Sequence, residues 1–171
     1  MKKDAAEALG VTKMSISRAS EQLLSLGLIV EESHGKECYM RIEGRPIELF
    51  NKAKDHMINP IQKTVYVADN DSYRKLLLSG ESALSKHSEL NSPVISAKAI
   101  YKNKLAKDSV KEIDVKWETE KEPVCLELWK YDPEIFSNDG SVDPISLALC
   151  YQNNVDERIE EAIDEYLEEC L

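Results

Sequence analysis

The chain has 171 residues, of which 42% are hydrophobic and 32% are charged, and its formal net charge is −10 at pH 7. This length allows one large or two small domains, and the composition is ordinary for a globular protein rather than a disordered one. No apolar run reaches the roughly 18 residues of a membrane span, and no signal-peptide pattern follows Met1. We therefore expect a cytoplasmic protein that does not act at a membrane.

The charge is distributed unevenly along the chain. Residues 1–60 carry nine basic and nine acidic side chains, residues 61–117 carry ten and seven, and residues 118–171 carry three and sixteen. The acidic total therefore describes the C-terminal third. It lowers non-specific affinity for nucleic acid, but it does not exclude DNA binding by a locally basic face elsewhere.

The cysteines and histidines do not form a metal-binding or disulfide pattern. The four cysteines are far apart in sequence, without a C-x-x-C pair, and none of the three histidines stands at metal-ligand spacing. We therefore expect four separate reduced thiols, and we predict neither a metal site nor another cofactor.

Two short helices are predicted at the start of the chain. Gly10 ends the first of them, Lys3–Leu9, and Gly27 ends the second, Ser15–Leu26. Thr12 precedes the second helix, where its hydroxyl can accept a hydrogen bond from a free backbone N–H. The first two helices are therefore joined by a short turn.

A β-hairpin and a third helix complete the first region. Leu28–Glu32 and Cys38–Glu43 have the composition of strands, and the turn between them is polar and contains a glycine. The third helix, Glu48–Met57, follows a break at Arg45-Pro46, and Asn59-Pro60 closes the region. We predict a first domain over residues 1–59.

The rest of the chain mixes strands and helices. In chain order the predicted elements are strand Gln62–Val67, helix Asp71–Leu78, a break at Ser79-Gly80-Glu81, helix Ala83–His87, strand Val94–Ile100, short helix Ile100–Ala106, strands Glu112–Trp117 and Val124–Tyr131, and helices Ile145–Tyr151 and Val155–Cys170. We expect the strands Glu112–Trp117 and Val124–Tyr131 to pair with each other. Asp143 and Pro144 are typical of an N-cap and a first helical residue. The fold class is therefore α+β, with a mixed α/β domain over residues 60–171.

The first two helices have the spacing of a helix-turn-helix. When Lys2 is counted as the first position, a small residue, a glycine and two β-branched residues fall at positions five, nine, ten and fifteen. These residues are Ala6, Gly10, Val11 and Ile16. The two β-branched residues are expected in the core beside Leu9 and Leu23. The alternative is a pair of amphipathic helices from an unrelated core.

The polar side chains around the second helix and the hairpin tip are candidate DNA contacts. Lys13 and Arg18 can meet phosphates or guanine edges, and the serines are short enough to allow close approach. The hairpin tip can reach a minor groove or the flanking backbone. The candidates are Thr12, Lys13, Met14, Ser15, Ser17, Arg18, Gln22, His34 and Lys36. Each of them is alternatively a solvated surface residue, and Glu21 is expected to lie off the contact surface.

The run DAAEALGVTKMSISRASEQLLSLGLI resembles the winged helix-turn-helix of MarR-type bacterial regulators, and the resemblance covers about the first 60 residues. It implies a DNA-binding transcriptional regulator whose second helix enters a major groove. One short helix covers too few base pairs for useful specificity, so we expect a homodimer on double-stranded operator DNA. MarR-type domains place another helix before these two, and we expect this domain to lack that first helix.

Three later runs, LLLSGESALSKHSELN, LELWKYDP and VDPISLALCYQNNVDERIEEAIDEYLEE, are similar to the C-terminal domain of winged-helix proteins related to the AbiEi abortive-infection antitoxins. In that family the winged helix represses its own operon, and the protein counteracts a nucleotidyltransferase toxin. The resemblance implies an autoregulating antitoxin with such a toxin as its partner, and a C-terminal domain used for dimerisation or partner binding.

The sequence offers weak candidates for nuclease chemistry. Asp114-x-Lys116 and Glu127-x-x-Lys130 come nearest to the Asp and Glu-x-Lys pattern that holds magnesium. Residues three apart do not share a face of a strand, so the second pair has the wrong geometry.

Nucleophilic catalysis is also poorly supported. Ser82 with His87, or Cys38 with His34, could be drawn as a nucleophile and its base, but no sequence pattern supplies a group to orient the base. We therefore predict that the protein is not an enzyme.

The last predicted helix has one apolar stripe and an acidic remainder. The stripe consists of Val155, Ile159, Ala162, Ile163, Tyr166 and Leu167. The acidic face either is simply solvated, or docks on a basic partner, or repels DNA from this end of the chain. The competing function is therefore a protein-interaction module that acts through this acidic surface without binding DNA.

Overall fold

The structure is a computed structural model that describes residues 1–35, 37–105, 110–117, 122–137, 139–152 and 156–171. It has the mixed α+β composition predicted from the sequence. The chain divides into two compact units, Met1–Met57 with Leu171, and Ile58–Cys170. We refer to them as the N-terminal unit and the C-terminal unit.

The N-terminal unit contains three helices and a two-stranded sheet among its described residues. In chain order these are α1 (Lys2–Ala8), α2 (Lys13–Ser25), β1 (Val30–His34), β2 (Glu37–Arg41) and α3 (Pro46–Ala53), followed by a 3₁₀ turn, Lys54–His56. The strands pair antiparallel, with His34 opposite Glu37 next to the loop of the hairpin. Gly35 adopts a φ of +66° in this loop, as the tight hairpin turn requires.

The core of the N-terminal unit forms where α1 crosses α2. Ala6 and Ile16 are buried there, as predicted. The prediction that Leu9, Val11 and Leu23 are also core residues is wrong, because all three are exposed. A helix pair buries only the side that another element covers, and the described elements of this unit cover the Ala6 and Ile16 side.

The C-terminal unit is built on a four-stranded sheet in the order β3-β6-β5-β4 among its described residues. The strands are β3 (Ile61–Ala68), β4 (Leu77–Leu78), β5 (Ala97–Tyr101) and β6 (Pro123–Trp129). β6 pairs antiparallel with β3 and parallel with β5, and β4 pairs antiparallel with β5. The helices of this unit are α4 (Asp71–Arg74), α5 (Gly80–Leu84), α6 (Pro144–Cys150) and α7 (Glu157–Cys170).

Both faces of the central strand β6 are covered. On one face Val124 and Leu126 cluster with Val65 and Val67 of β3. On the other face Glu127 and Trp129 are buried, and Gly80 of α5 approaches the Glu127 carboxyl closely. β6 is therefore an interior strand, which explains why a carboxylate lies in the core.

The predicted strand Glu112–Trp117 is wrong. Glu112 forms one isolated bridge to Val67, and β6 pairs with β3 and β5 instead. The side chain of Asp114 accepts a hydrogen bond from the backbone N–H of Lys116, and the Asp114 carbonyl accepts one from the N–H of Trp117. Asp114 therefore starts a turn by bonding its own neighbouring backbone, as aspartate often does.

The predicted helix Asp71–Leu78 ends at Arg74, because Leu77 and Leu78 pair with β5 as the short strand β4. α5 then begins at Gly80 and ends at Leu84, earlier than the predicted helix Ala83–His87. A run of apolar residues suits a helix or a buried strand equally, and here the long-range pairing decides between them.

The strand β5 and the turn after it differ from the predictions. β5 begins at Ala97 rather than at residue 94, and the short helix predicted after it is a 3₁₀ turn, Lys102–Lys104. The predicted end of that helix at residue 106 and the predicted start of the last helix at residue 155 lie outside the described residues. α7 is described from Glu157, and its buried residues are the predicted Ile159, Ala162, Ile163 and Leu167.

The predicted caps are confirmed. The Asp143 carboxylate accepts a hydrogen bond from the N–H of Ser146, and Pro144 is the first residue of α6.

Among the described helices, none is both long and apolar enough to cross a membrane.

Candidate nucleic-acid interface

The position of α2 is determined by an N-cap at its first turn and by one side that is buried in the N-terminal unit. The Thr12 hydroxyl accepts a hydrogen bond from the N–H of Ser15 at 3.1 Å, as expected for an N-cap. Ile16 and Ser20 are buried, and the Ser20 hydroxyl donates to the Ile16 carbonyl, so its polar group is satisfied inside the unit. The opposite side of α2 is thereby held toward solvent.

Six of the seven predicted contact residues around α2 are exposed, and Ser17 is half-buried. The exposed residues are Thr12, Lys13, Met14, Ser15, Arg18 and Gln22. The hydroxyls of Thr12 and Ser15 lie 2.9 Å apart and bond to each other, which leaves them less free for a ligand.

The predicted residues do not all share one side of the helix. Each helical residue turns by about 100°, so Met14, Arg18 and Gln22 form one row, and each of them is offset by about 40° from the previous one. Measured around the helix axis from Arg18, the middle of this row, Lys13 lies at about 140° and Ser17 at about 100°. The candidate interface is therefore a central row with flanking groups.

Lys13 and Arg18 differ from most other cations of the N-terminal unit. Neither forms an ion pair or a side-chain hydrogen bond with any residue that the structure describes. By contrast Lys2 lies 2.6 Å from Glu31, and this hydrogen bond raises the pKa of the Lys2 ammonium. The two cations of α2 are therefore left to meet an external anion.

The remaining arginines of this unit are neutralised by carboxylates. Arg41 lies 2.9 Å from Glu32 and 2.6 Å from Glu43, and Arg45 lies 2.5 Å from Glu48. Their charge is already compensated within the unit. Lys13 and Arg18 thus keep a positive charge on α2 that no described carboxylate compensates.

The described residues of the hairpin tip do not form a basic surface. His34 is exposed, and its imidazole lies 3.9 Å from the Glu32 carboxylate and edge-on to the ring of Tyr39, with 5.7 Å between ring centroids. Tyr39 donates a hydrogen bond to the carboxylate of Glu37. The predicted contact Lys36 lies outside the described residues.

Glu21 lies closer to the candidate interface than its charge alone predicts. It is exposed, and seven residues, or about two turns, separate it from Met14, so both lie on the same side of α2. It does not pair with Arg18, although a spacing of three residues allows this. The helical spacing of Met14, Arg18 and Glu21 in the sequence is the signal that places the Glu21 carboxylate on the exposed side of α2.

An apolar groove lies beside the interface, within the N-terminal unit. It has a volume of about 510 Å³ and runs between the C-terminal half of α2 and the end of α3. Its lining residues are Ala19, Gln22, Leu23, Ser25, Leu26, Leu28, Ala53, His56 and Met57. The groove is where the exposed Leu23 lies, so it marks the uncovered side of the helix pair.

In the C-terminal unit, the residues of the nuclease hypothesis have other roles. Glu127 is buried and accepts hydrogen bonds from Ser79 and Trp129. The Lys130 ammonium donates to the Asn59 carbonyl, and Asp114 holds its own turn. Burial raises the pKa of the Glu127 carboxyl, and the two hydrogen bonds oppose that shift.

The proposed nucleophile and base of this unit are not joined by a hydrogen bond. The Ser82 hydroxyl accepts from the N–H of Ala97. His87 stacks on Tyr166, with 4.5 Å between ring centroids, and its Nε2 has no hydrogen-bond partner among the described residues.

The acidic side of α7 is exposed and continuous. Arg158 is the one cation of this helix, and it pairs with Asp156 at 2.9 Å. Six acidic residues line a shallow depression of about 500 Å³: Glu157, Glu160, Glu161, Asp164, Glu165 and Glu168. This surface suits a cationic partner and repels phosphate.

No protein-family model, no curated protein and no solved structure matches the chain. Over the residues that the structure describes, no group of three or more His, Cys, Asp and Glu side chains could hold a metal ion. The support for a function therefore comes from the α2 surface and the acidic surface of α7.

Proposed function

We propose that the chain is a cytoplasmic, DNA-binding transcriptional regulator, that its N-terminal unit is a winged helix-turn-helix, and that α2 enters a major groove. The observation that carries the proposal is the pair of exposed cations on α2, Lys13 and Arg18, which no described residue neutralises. Lysine and arginine are the side chains that most often bind phosphates and guanine edges.

The local architecture supports this proposal. Gly10 has a φ of +63° directly after α1, and the backbone N–H of Val11 bonds to the Ala6 carbonyl, so the two helices are joined by a tight turn. The hairpin that follows has the position of a wing. The resemblance to MarR-type regulators over the same residues favours this arrangement.

The contacts have different weights in the proposed complex. Lys13, at the start of α2, binds backbone phosphate, where Ser15 and Ser17 allow close approach. Arg18 reaches base edges from the middle of the exposed side. His34 lies at the periphery of the proposed contact, because it belongs to the hairpin and not to α2.

We further propose that the regulator is a homodimer on its operator, because α2 is 13 residues long and covers only one half-site. The similarity of the C-terminal runs to AbiEi antitoxins favours autoregulation of a toxin–antitoxin operon, with a nucleotidyltransferase toxin as partner. The C-terminal unit then supplies the dimer or toxin contacts.

The acidic surface of α7 supports a second candidate function. A protein-interaction module would use the six carboxylates of this helix to dock a basic protein, since charge complementarity speeds and selects association. This candidate is favoured if the chain co-purifies with the product of the adjacent gene and fails to bind the DNA upstream of its own gene.

Removing both free cations of α2 is expected to weaken DNA binding by at least about tenfold, because two charge-assisted contacts are lost. The double variant Lys13→Ala/Arg18→Ala is compared with the wild type by fluorescence anisotropy on a labelled duplex from the upstream region, at low salt.

The matched control is Arg41→Ala/Arg45→Ala, which changes the net charge equally but removes cations that are already paired. Its affinity is expected to stay within about threefold of the wild type. Equal losses in the two double variants would mean that overall charge, and not the α2 surface, binds the DNA. Equally poor binding by wild type and variants would refute DNA binding by this chain.

A further inference from the structure

Met14, Arg18 and Gln22 form a row along the exposed side of α2, four residues apart. Met14 leaves 65% of its surface exposed, although methionine is among the residues most often buried. This exposure leaves the apolar side chain of Met14 available to a ligand.

The polar members of the row are also without internal partners. The guanidinium of Arg18 forms no ion pair and no hydrogen bond with the residues described, even with Glu21 one turn away. Gln22 accepts a hydrogen bond from Ser25 through its backbone carbonyl, but its side-chain amide makes none within the described part of the chain. All three side chains are therefore free to contact a ligand.

We infer that this row determines which bases the protein selects, an inference that rests on the proposed DNA binding. In a major groove, an apolar side chain packs on the thymine methyl group, an arginine donates two hydrogen bonds to O6 and N7 of guanine, and a glutamine bonds N6 and N7 of adenine. Met14 then selects a T·A pair, Arg18 a G·C pair and Gln22 an A·T pair.

The helix geometry also sets the spacing of the selected bases. A helix in the major groove lies along the groove rather than along the DNA axis, and side chains three or four residues apart then contact successive base pairs. The three selected positions therefore lie within about three or four neighbouring base pairs of each half-site.

Lys13 does not belong to this row. It is the first residue of α2 and lies about 140° around the helix axis from Arg18. In this position its flexible ammonium meets backbone phosphate and does not distinguish bases. Removing Lys13 should therefore weaken binding to all sequences alike, in contrast to removing a member of the row.

The test is selection of binding sites from a pool of random duplexes by the full chain, followed by sequencing. The wild type, Met14→Ala, Arg18→Ala, Gln22→Ala and Lys13→Ala are selected in parallel at low salt. The wild type is expected to enrich three neighbouring positions, each with about a tenfold preference. Each variant of the row should lose the preference at its own position and keep the other two.

Two further variants separate base selection from general binding. Met14→Leu keeps an apolar side chain and should keep the thymine preference, and Lys13→Ala should enrich the same motif with lower yield. If the wild type enriches a motif that none of the three row variants changes, the inference fails while DNA binding stands. If the wild type enriches nothing and binds no duplex at low salt, the proposed function fails and this inference with it.

Discussion

Replacing Gly80 with alanine is expected to lower the free energy of unfolding of the C-terminal unit by about 3 kcal/mol. Gly80 has a φ of +52°, in the left-handed region that costs an L residue about 1–2 kcal/mol. An added Cβ would also lie 3.1 Å from Oε1 of Glu127 and 3.3 Å from Cβ of Ala97. Ser79 and Trp129 hold the Glu127 carboxyl, so it cannot move away at low cost.

Gly140→Ala is the matched control, because Gly140 has a φ of +72° but open space around the position of a Cβ. It carries the conformational cost without the steric one. Both variants are measured by urea denaturation, followed by the fluorescence of the buried Trp129. The explanation is wrong if Gly80→Ala loses no more stability than Gly140→Ala.

Replacing Glu127 with glutamine is expected to stabilise the C-terminal unit at neutral and alkaline pH. Burial raises the pKa of this carboxyl above its ordinary value of 4.5, so the folded state binds the proton more tightly than the unfolded state. The wild type should therefore lose stability as the pH rises from 4.5 through the raised pKa, and remain less stable above it.

Glutamine keeps the shape of the side chain and an oxygen that accepts from Ser79 and Trp129, but it does not ionise. At pH 8 the Glu127→Gln variant should exceed the wild type in free energy of unfolding, and this difference should shrink toward pH 4. Urea denaturation at pH 4, 6 and 8 measures the difference.

Glu89→Gln serves as the control, because this carboxyl is exposed. It should follow the pH dependence of the wild type. A Glu127→Gln variant that is less stable than the wild type at pH 8 would show that the carboxylate stabilises the fold. A variant that keeps the pH dependence of the wild type would show that Glu127 does not cause it.

Features that depend on neighbouring residues could be predicted from the sequence. Thr12 and Asp143 cap their helices because the hydroxyl or carboxylate bonds an N–H three residues away. Gly35 stands in the hairpin loop because the turn needs a positive φ. Such features require no knowledge of distant parts of the chain.

Features that depend on distant residues could not be predicted. Leu77 and Leu78 continue a helical pattern, and they become a strand only because β5 pairs with them. Glu127 occupies a polar position of an alternating strand, and its burial depends on Ser79, 48 residues away. Local pattern sets a preference, and long-range packing overrides it.

The same limit applies to the candidate interface. The sequence named the residues on α2, but it did not show which cations remain available. That depends on the hairpin, because Glu31 neutralises Lys2 and Glu32 neutralises Arg41. Only the folded unit leaves Lys13 and Arg18 without a described partner.

The most direct test of DNA binding through α2 is the salt dependence of affinity for the upstream duplex, measured for the wild type and for Lys13→Ala between low and physiological salt. We predict that the logarithm of the wild-type affinity falls linearly with the logarithm of salt concentration. The slope for Lys13→Ala should be smaller in magnitude by about one, because one phosphate contact is lost. Two results would contradict DNA binding through α2. One is a wild-type affinity that does not change with salt, and the other is equal slopes and equal affinities for the two proteins.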